Sequence, residues 1–171
     1  LRASAGHDVV VALAAYSGVQ TPWRDVHRTN LRITWNTLEA ARRTGVRRVI
    51  LASSNNVTGG YETEEPYRSV LSGERDGLHP SELVRIRPND PVRPNGAYAV
   101  GKIADEAMGR LFADRYDISV LCLRIGTVRA ADRPQTRRHE ATLLTHRAAR
   151  RCSSSASRPA RRTQACALPP S

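Results

Sequence analysis

Apolar and polar positions fall into blocks along this chain. Asp8-Val9-Val10-Val11-Ala12-Leu13 is a short apolar run rich in β-branched residues and ending in small ones, the pattern of a strand buried on both faces. From Trp23 to Thr44 the spacing turns helical. Leu31, Trp35 and Leu38 share one stripe, Arg42 and Arg43 fall in the last turn, and Gly45 supplies a C-terminal stop. Val46 to Ala52 reads as a second strand, and strand, helix and strand with short connections make a right-handed crossover in a parallel sheet. Ser53, Ser54, Asn55, Asn56 and then Gly59-Gly60 carry loop chemistry at the carboxyl end of that strand, which is where open α/β sheets place their ligands. Residues 61–94 are charged, contain prolines and keep no period, so an irregular excursion beside the site is expected. A second helix is expected from about Asn95 to Tyr116, with Ala104, Met108 and Leu111 as apolar positions, and Ile118 to Leu123 as a third strand.

This order predicts an α/β fold built on a doubly wound parallel sheet. Such a sheet carries a glycine-rich phosphate turn after its first strand and an acidic, ribose-reading residue about 20 residues later. Neither occurs here. The expectation is therefore a partial Rossmann-like sheet lacking its first β-α-β units, the N-terminal part being truncated.

Composition narrows the classes. A chain of 171 residues with 40% hydrophobic content suffices for one domain with a core. No apolar run approaches the roughly 18 residues of a membrane span, and the N-terminus lacks a signal-peptide layout, so a cytoplasmic protein without membrane contact is expected. Cys122, Cys152 and Cys166 show no metal-ligand spacing and form no disulfide framework; Cys122, inside an apolar run, reads as core. The net charge of +11 is uneven: residues 1–128 hold 17 Lys+Arg against 14 Asp+Glu, and residues 129–171 hold 10 against 2. Basicity thus belongs mostly to the tail, which would attract polyanions at low salt. With only 5% aromatic residues, stacking platforms for nucleic acid are scarce.

Lys102 is the only lysine; the other 26 basic residues are arginine. Arginine is a planar fork that stays charged, whereas lysine is a compact point charge whose pKa responds to its surroundings. Tyr98 lies four residues earlier, on the same helix face. A phenol and an ammonium in one pocket suit proton transfer, although this spacing alone also describes an accidental surface pair.

Four segments in order make the pair specific: the strand leading into Ala12-Leu13-Ala14-Ala15, the helix with Asn30 and Leu38-Glu39-Ala40-Ala41, the strand ending Ala52-Ser53-Ser54, and Tyr98 with Lys102. Together they resemble the extended short-chain dehydrogenase/reductase family of NAD(P)-dependent epimerases, dehydratases and dehydrogenases. Pro22-Trp23-Arg24-Asp25, Ser53-Ser54-Asn55 and Arg124-Ile125-Gly126-Thr127 are similar to segments of its uronate dehydrogenases. Ala12 stands where relatives commonly have histidine, a departure in the cofactor loop.

The resemblance implies NAD or NADP as cofactor and a small carbohydrate as substrate, with homo-oligomers frequent among members. It implies Tyr98 as acid/base, Lys102 as the charge that acidifies it and holds the nicotinamide ribose, Ser54 as partner of the reacting oxygen, and Asn30 as support near the lysine. Without the resemblance, Ser54 reads as a turn serine capping backbone, and Asn30 as a polar helix residue. Ala14, Ala15, Asn30, Tyr98, Lys102 and Ile125 would meet the cofactor. Ser17, Ser54, Asn55, Thr127 and Arg138 would meet the sugar, Arg138 through its carboxylate. A nucleotide-sugar epimerase or dehydratase would use the same Tyr, Lys and Ser. An inactive fragment or a basic-tailed binding protein is the alternative from another class.

By this reading residues 1–128 are the C-terminal part of a dinucleotide-binding domain, 129–146 a remnant of the substrate region, and 147–171 a basic low-complexity tail without fixed structure. Its Arg, Ser, Ala and Pro lack an apolar stripe and cannot offset chain entropy. The abrupt composition change suggests an out-of-frame or truncated end. A family-like continuation in another frame of the coding DNA is the expected finding; its absence from both other frames would reject the idea.

Overall fold

The computed structural model describes residues 4–74 and 85–156, with 152–156 as backbone. Three parallel strands lie in the order β1 (Val9–Ala12), β2 (Arg48–Ser54) and β3 (Ser119–Ile125). Val10, Val49 and Val120 share one level across the sheet. The crossover between β1 and β2 runs through α1 (Trp23–Asp25), a π-helical turn (Val26–Asn30) and α2 (Leu31–Thr44), which ends on Gly45 in a left-handed conformation with φ 72°. The return to β3 runs through α4 (Ala97–Arg115).

The expected α/β architecture is present, with shifted details. β2 continues through Ser53 and Ser54, placed above in the loop, because both pair with β3 at Arg124 and Ile125. The stretch expected to be irregular is partly ordered. A 3-10 helix spans Asn55–Thr63, and α3 spans Tyr67–Ser72. Neither is long enough to show a period; the rest of the excursion at 75–84 lies outside the described residues. Residues 91–95 cross the 3-10 helix at close range: Arg93 N donates to Val57 O at 2.9 Å, and Gly60 N donates to Arg93 O at 2.6 Å. A side chain at Gly59 would overlap the Asn95 amide, so the glycine pair serves close approach.

α2 and α4 cover one face of the sheet and enclose Leu38, Ala41, Val46, Val49, Leu51, Phe112, Ile118 and Val120. Phe112 meets Trp35 edge to face, with centroids 5.3 Å apart. Leu38 is buried as its stripe predicts, whereas Trp35 is 46% exposed and Leu111 also faces outward. The inward stripe of α4 is Tyr98, Lys102, Asp105, Gly109 and Phe112. Of the apolar positions expected, Met108 packs against the core and Ala104 is half-buried, while Leu111 is 37% exposed; hydrophobicity overlooks Lys102 and Asp105 because they are charged.

Beyond β3, Thr127 forms a parallel bridge to Leu143, with Thr127 N donating to Thr142 O at 2.8 Å and Leu144 N donating to Thr127 O at 2.9 Å. This ties α5 (Arg137–Thr142) to the end of β3. α6 (His146–Ala156) corrects the expectation that structure ends at Arg147. Alanine and arginine are strong helix formers, and Thr145 Oγ1 caps the first turn by accepting from Ala148 N at 3.2 Å. His146 also anchors the start of the helix, its N donating to Asp132 Oδ1 at 2.6 Å and its ring Nε2 lying 2.9 Å from Arg129 O. Residues 157–171 lie outside the described residues. No helix among the described residues is long and apolar enough to cross a membrane.

Phe112→Ala removes the largest fully buried side chain and is expected to cost about 3–5 kcal/mol. Urea denaturation followed by circular dichroism checks this; a loss below about 1 kcal/mol would contradict the packing described.

Candidate functional site

The polar stripe of α4 carries the chemistry. Tyr98 occupies its first turn with 9% of its surface exposed. Lys102 Nζ lies 5.7 Å from the centroid of the Tyr98 ring and donates to Asp105 Oδ2 at 3.1 Å; the two charged side chains are 7% and 3% exposed. The other carboxylate oxygen, Asp105 Oδ1, is buried without a hydrogen-bond partner among the described residues. Burial pushes the Asp105 carboxyl above the usual range, against the lowering influence of Lys102 and Thr34.

Tyr98 departs from its expected acidity. Burial, and after it the negative charge of Asp105, raise the phenol above its ordinary value. The charge of Lys102 is matched by Asp105 instead of being directed at the phenol. Gly101, beside the lysine, allows α4 to close on the π turn: a side chain there would overlap Val26 Cγ1.

Asn30 ends that π turn and is buried, with both of its side-chain hydrogen bonds made to the Tyr16 backbone. Its Oδ1 accepts from Tyr16 N at 2.9 Å, and its Nδ2 donates to Tyr16 O at 2.9 Å. These bonds hold the segment after β1, which carries half-buried Ala15 and exposed Ala14 and Ser17.

At the end of β2, Ser54 Oγ accepts from Asn56 N at 3.2 Å, capping the 3-10 helix, and donates to Asn55 Oδ1 at 3.4 Å. Ile125 pairs with Ser54 across the sheet. Ser53 Oγ donates to Glu106 Oε1 at 2.5 Å, and Arg124 grips both Glu106 oxygens at 2.9 and 2.8 Å. Arg138 reaches back from α5, its Nε donating to Glu62 Oε2 at 2.7 Å and its Nη2 to Asn56 Oδ1 at 3.0 Å. Asn95 Nδ2 donates to the same Asn56 oxygen at 3.3 Å. Thr127 Oγ1 lies 2.9 Å from Thr142 Oγ1.

Sequence reasoning missed Asp105, Glu106, Glu62, Asn56 and Asn95. Asp105 was findable, three residues beyond Lys102 on the same face. Glu62 and Arg138 are 76 residues apart, and no spacing rule connects them. Cys122 is packed against the core as expected, and burial, then the charges of Glu106 and Asp105, push its thiol up to about 12. The side chains of Cys152 and Cys166 are outside the described residues.

The parallel α/β sheet with helices crossing between its strands defines a fold class, the Rossmann-like α/β proteins. The chain belongs to the NAD dependent epimerase/dehydratase family, which it matches over residues 1–159, beyond the point near His146 where the sequence resemblance was expected to stop. It is 35% identical over 127 residues to an L-arabinose 1-dehydrogenase (NAD(P)(+)) of Haloferax volcanii, covering 74% of this chain and 47% of that protein. It is 32% identical over 139 residues to a uronate dehydrogenase of Pseudomonas syringae pv. tomato, covering 81% and 42%. The structure of uronate dehydrogenase from Agrobacterium tumefaciens superposes with TM-score 0.70 at 26% identity, covering 92% of this chain and 51% of that one. The chain thus spans less than half the length of the first two relatives. The cofactor class is NAD(P).

The residues fit that cofactor at one end only. Tyr98 and Lys102 provide a phenol and an ammonium on one face, whereas the sequence has no glycine-rich turn joining strand to helix to receive a pyrophosphate.

Asp105→Asn is expected to lower the Tyr98 pKa, because a negative charge that raises it is removed while Lys102 stays. It should also cost about 3–5 kcal/mol by leaving a buried ammonium unmatched. Tyrosinate absorbance against pH, assigned with Tyr98→Phe, reads the shift; an unchanged Tyr98 titration would contradict it. Because the folded value is raised, the stability contributed by the wild-type phenol is complete below about pH 10. It is lost as pH rises through the folded value.

Proposed function

We propose that these residues form the acid-base and sugar-facing part of an NAD(P)-dependent sugar dehydrogenase. The supporting observation is the single helix face that buries Tyr98 one turn from Lys102, in a chain of this family. Bound NAD(P) would supply the hydride acceptor.

Tyr98 is the acid/base of this proposal. In oxidation it takes the proton of the C1 hydroxyl of an aldose or uronic acid, and the carbon left behind becomes a lactone carbonyl. Its raised pKa favours the protonated phenol, ready for the reductive direction. Oxidation asks Lys102 to direct its charge from Asp105 toward the phenol oxygen, since an opposite charge close by favours the ionised form. Ser54 supports the reacting oxygen: its hydroxyl hydrogen makes only the long contact to Asn55, while its oxygen is fixed by Asn56 N. Asn30 acts through the segment after β1, where Ala14 and Ala15 would border the nicotinamide with Ile125. Asn55, Thr127, Arg138 and Ser17 would border the sugar.

Two measurements test this. Calorimetry of the 171-residue chain with NAD is expected to show no micromolar binding, because no phosphate turn is present; micromolar affinity would refute that point. A chimera supplying the glycine-rich β-α-β unit of the Pseudomonas syringae relative upstream of Val9 is expected to produce NAD(P)H with an aldose or a uronate. Tyr98→Phe should lower that rate by about 10²- to 10⁴-fold. Epimerised sugar nucleotide without net cofactor reduction would instead assign the chain to the epimerases.

A further inference from the structure

We infer that Glu62 is a specificity determinant that directs this site to neutral aldoses and against sugars bearing a carboxylate. The inference rests on the sugar-dehydrogenase reading above and refines its substrate class. Arg138 is the cation that a uronate carboxylate would seek, since the guanidinium fork offers two parallel N–H groups to a planar anion. That fork is already engaged. Nε donates to Glu62 Oε2 at 2.7 Å, Nη2 donates to Asn56 Oδ1 at 3.0 Å, and the Arg138 and Glu62 side chains are only 33% and 26% exposed.

The pair is held from both sides. Thr142 Oγ1 donates to Arg138 O at 2.8 Å within α5, and Thr127 bonds the end of that helix to β3. Glu62 lies on the 3-10 helix that begins at Asn55, so Asn56 and Glu62 approach Arg138 from one rigid element. A sugar carboxylate binding Arg138 would have to displace Glu62 or lie beside it, and two carboxylates at one guanidinium repel.

The uncharged groups around the pair favour a hydroxyl. Asn55 Nδ2 and Asn95 Oδ1 are buried without a hydrogen-bond partner among the described residues. One is a donor and the other an acceptor. A hydroxyl both accepts and donates, so a sugar that reached these amides could match each; ring hydroxyls are common to neutral sugars and uronates, so discrimination between the two rests on Glu62 beside Arg138. The unpartnered amides fit a hydroxyl-bearing ligand, and the charge of Glu62 beside Arg138 makes that ligand a neutral one.

The test compares D-galactose with D-galacturonate, which differ only at C6, by NMR titration of the ¹⁵N-labelled chain. The wild type is expected to bind galactose at least tenfold more tightly. Glu62→Gln should tighten galacturonate binding tenfold or more while changing galactose affinity less than threefold, and Arg138→Gln added to it should erase the gain. Tighter binding of galacturonate by the wild type, or an unchanged ratio in Glu62→Gln, overturns the inference and leaves the sugar site standing. If the spectrum of Glu62→Gln is unfolded, the wild-type ratio decides alone. Binding of neither sugar by the wild type overturns the sugar-site reading together with the inference.

Discussion

The packing of α4 depends on a charged pair placed where a core would normally be apolar. Lys102 and Asp105 lie on the same inward stripe as Gly109 and Phe112, so one helix face passes from a hydrophobic anchor to a polar site within two turns. Burial of either charge alone would be costly, and the 3.1 Å contact between them makes the stripe tolerable. The match is one-sided, since Asp105 Oδ2 takes the lysine while Oδ1 is buried without a partner among the described residues. Tyr98 shares this stripe, so its surroundings are tied to the stability of the domain. Its environment is set by what keeps Lys102 buried, and an unpaired lysine would be both a stronger acidifier of the phenol and a worse tenant of the core.

Most of the fold was legible because its strands and helices obey simple periods. Leu38 and Gly45 do what their pattern says, and Val9 to Ala12 form the expected strand, but it is not buried on both faces: Val9, Val10 and Ala12 are half-buried and Val11 is 55% exposed. The inward face of α4 was misread for the reason that makes it interesting, since a period built from Tyr98, Lys102 and Asp105 is invisible to a hydrophobicity rule. Strand ends were misjudged at Ser53 and Ser54, where polar side chains sit on backbone that still pairs with β3. Glu62, Asn56 and Arg138 could not be associated from sequence, because their proximity depends on how the 3-10 helix and α5 meet at the sheet's carboxyl edge. Local propensity, with the anchor at His146, explains α6, which a rule based on burial had dismissed.

Arginine elsewhere in the site serves as structure. Arg124 holds Glu106 with both arms of its fork and donates to Pro88 O at 3.1 Å, binding β3, α4 and the segment before α4 into one corner. Ser53 adds its hydroxyl to the same Glu106 oxygen. The carboxyl edge of the sheet thus contains two arginine-glutamate pairs, Arg124 with Glu106 and Arg138 with Glu62, and one lysine-aspartate pair beneath them.

This pairing changes how the chain's net positive charge bears on chemistry. The excess of arginine lies mainly beyond residue 128, whereas each of these three site cations has a carboxylate at hydrogen-bond distance. An edge so balanced exerts little net pull on an anion. It can still direct hydroxyl groups, because Ser54, Asn55 and Asn95 are fixed by neighbours that leave the Asn55 amide hydrogens and the Asn95 amide oxygen without partners. In this arrangement the lone lysine is the cation whose partner sits on its own helix, three residues away, so a small change in its rotamer can transfer positive charge from Asp105 toward Tyr98. Arginine would hold Asp105 with a broad, rigid fork, while an ammonium on a flexible stem can turn between a carboxylate and a phenol.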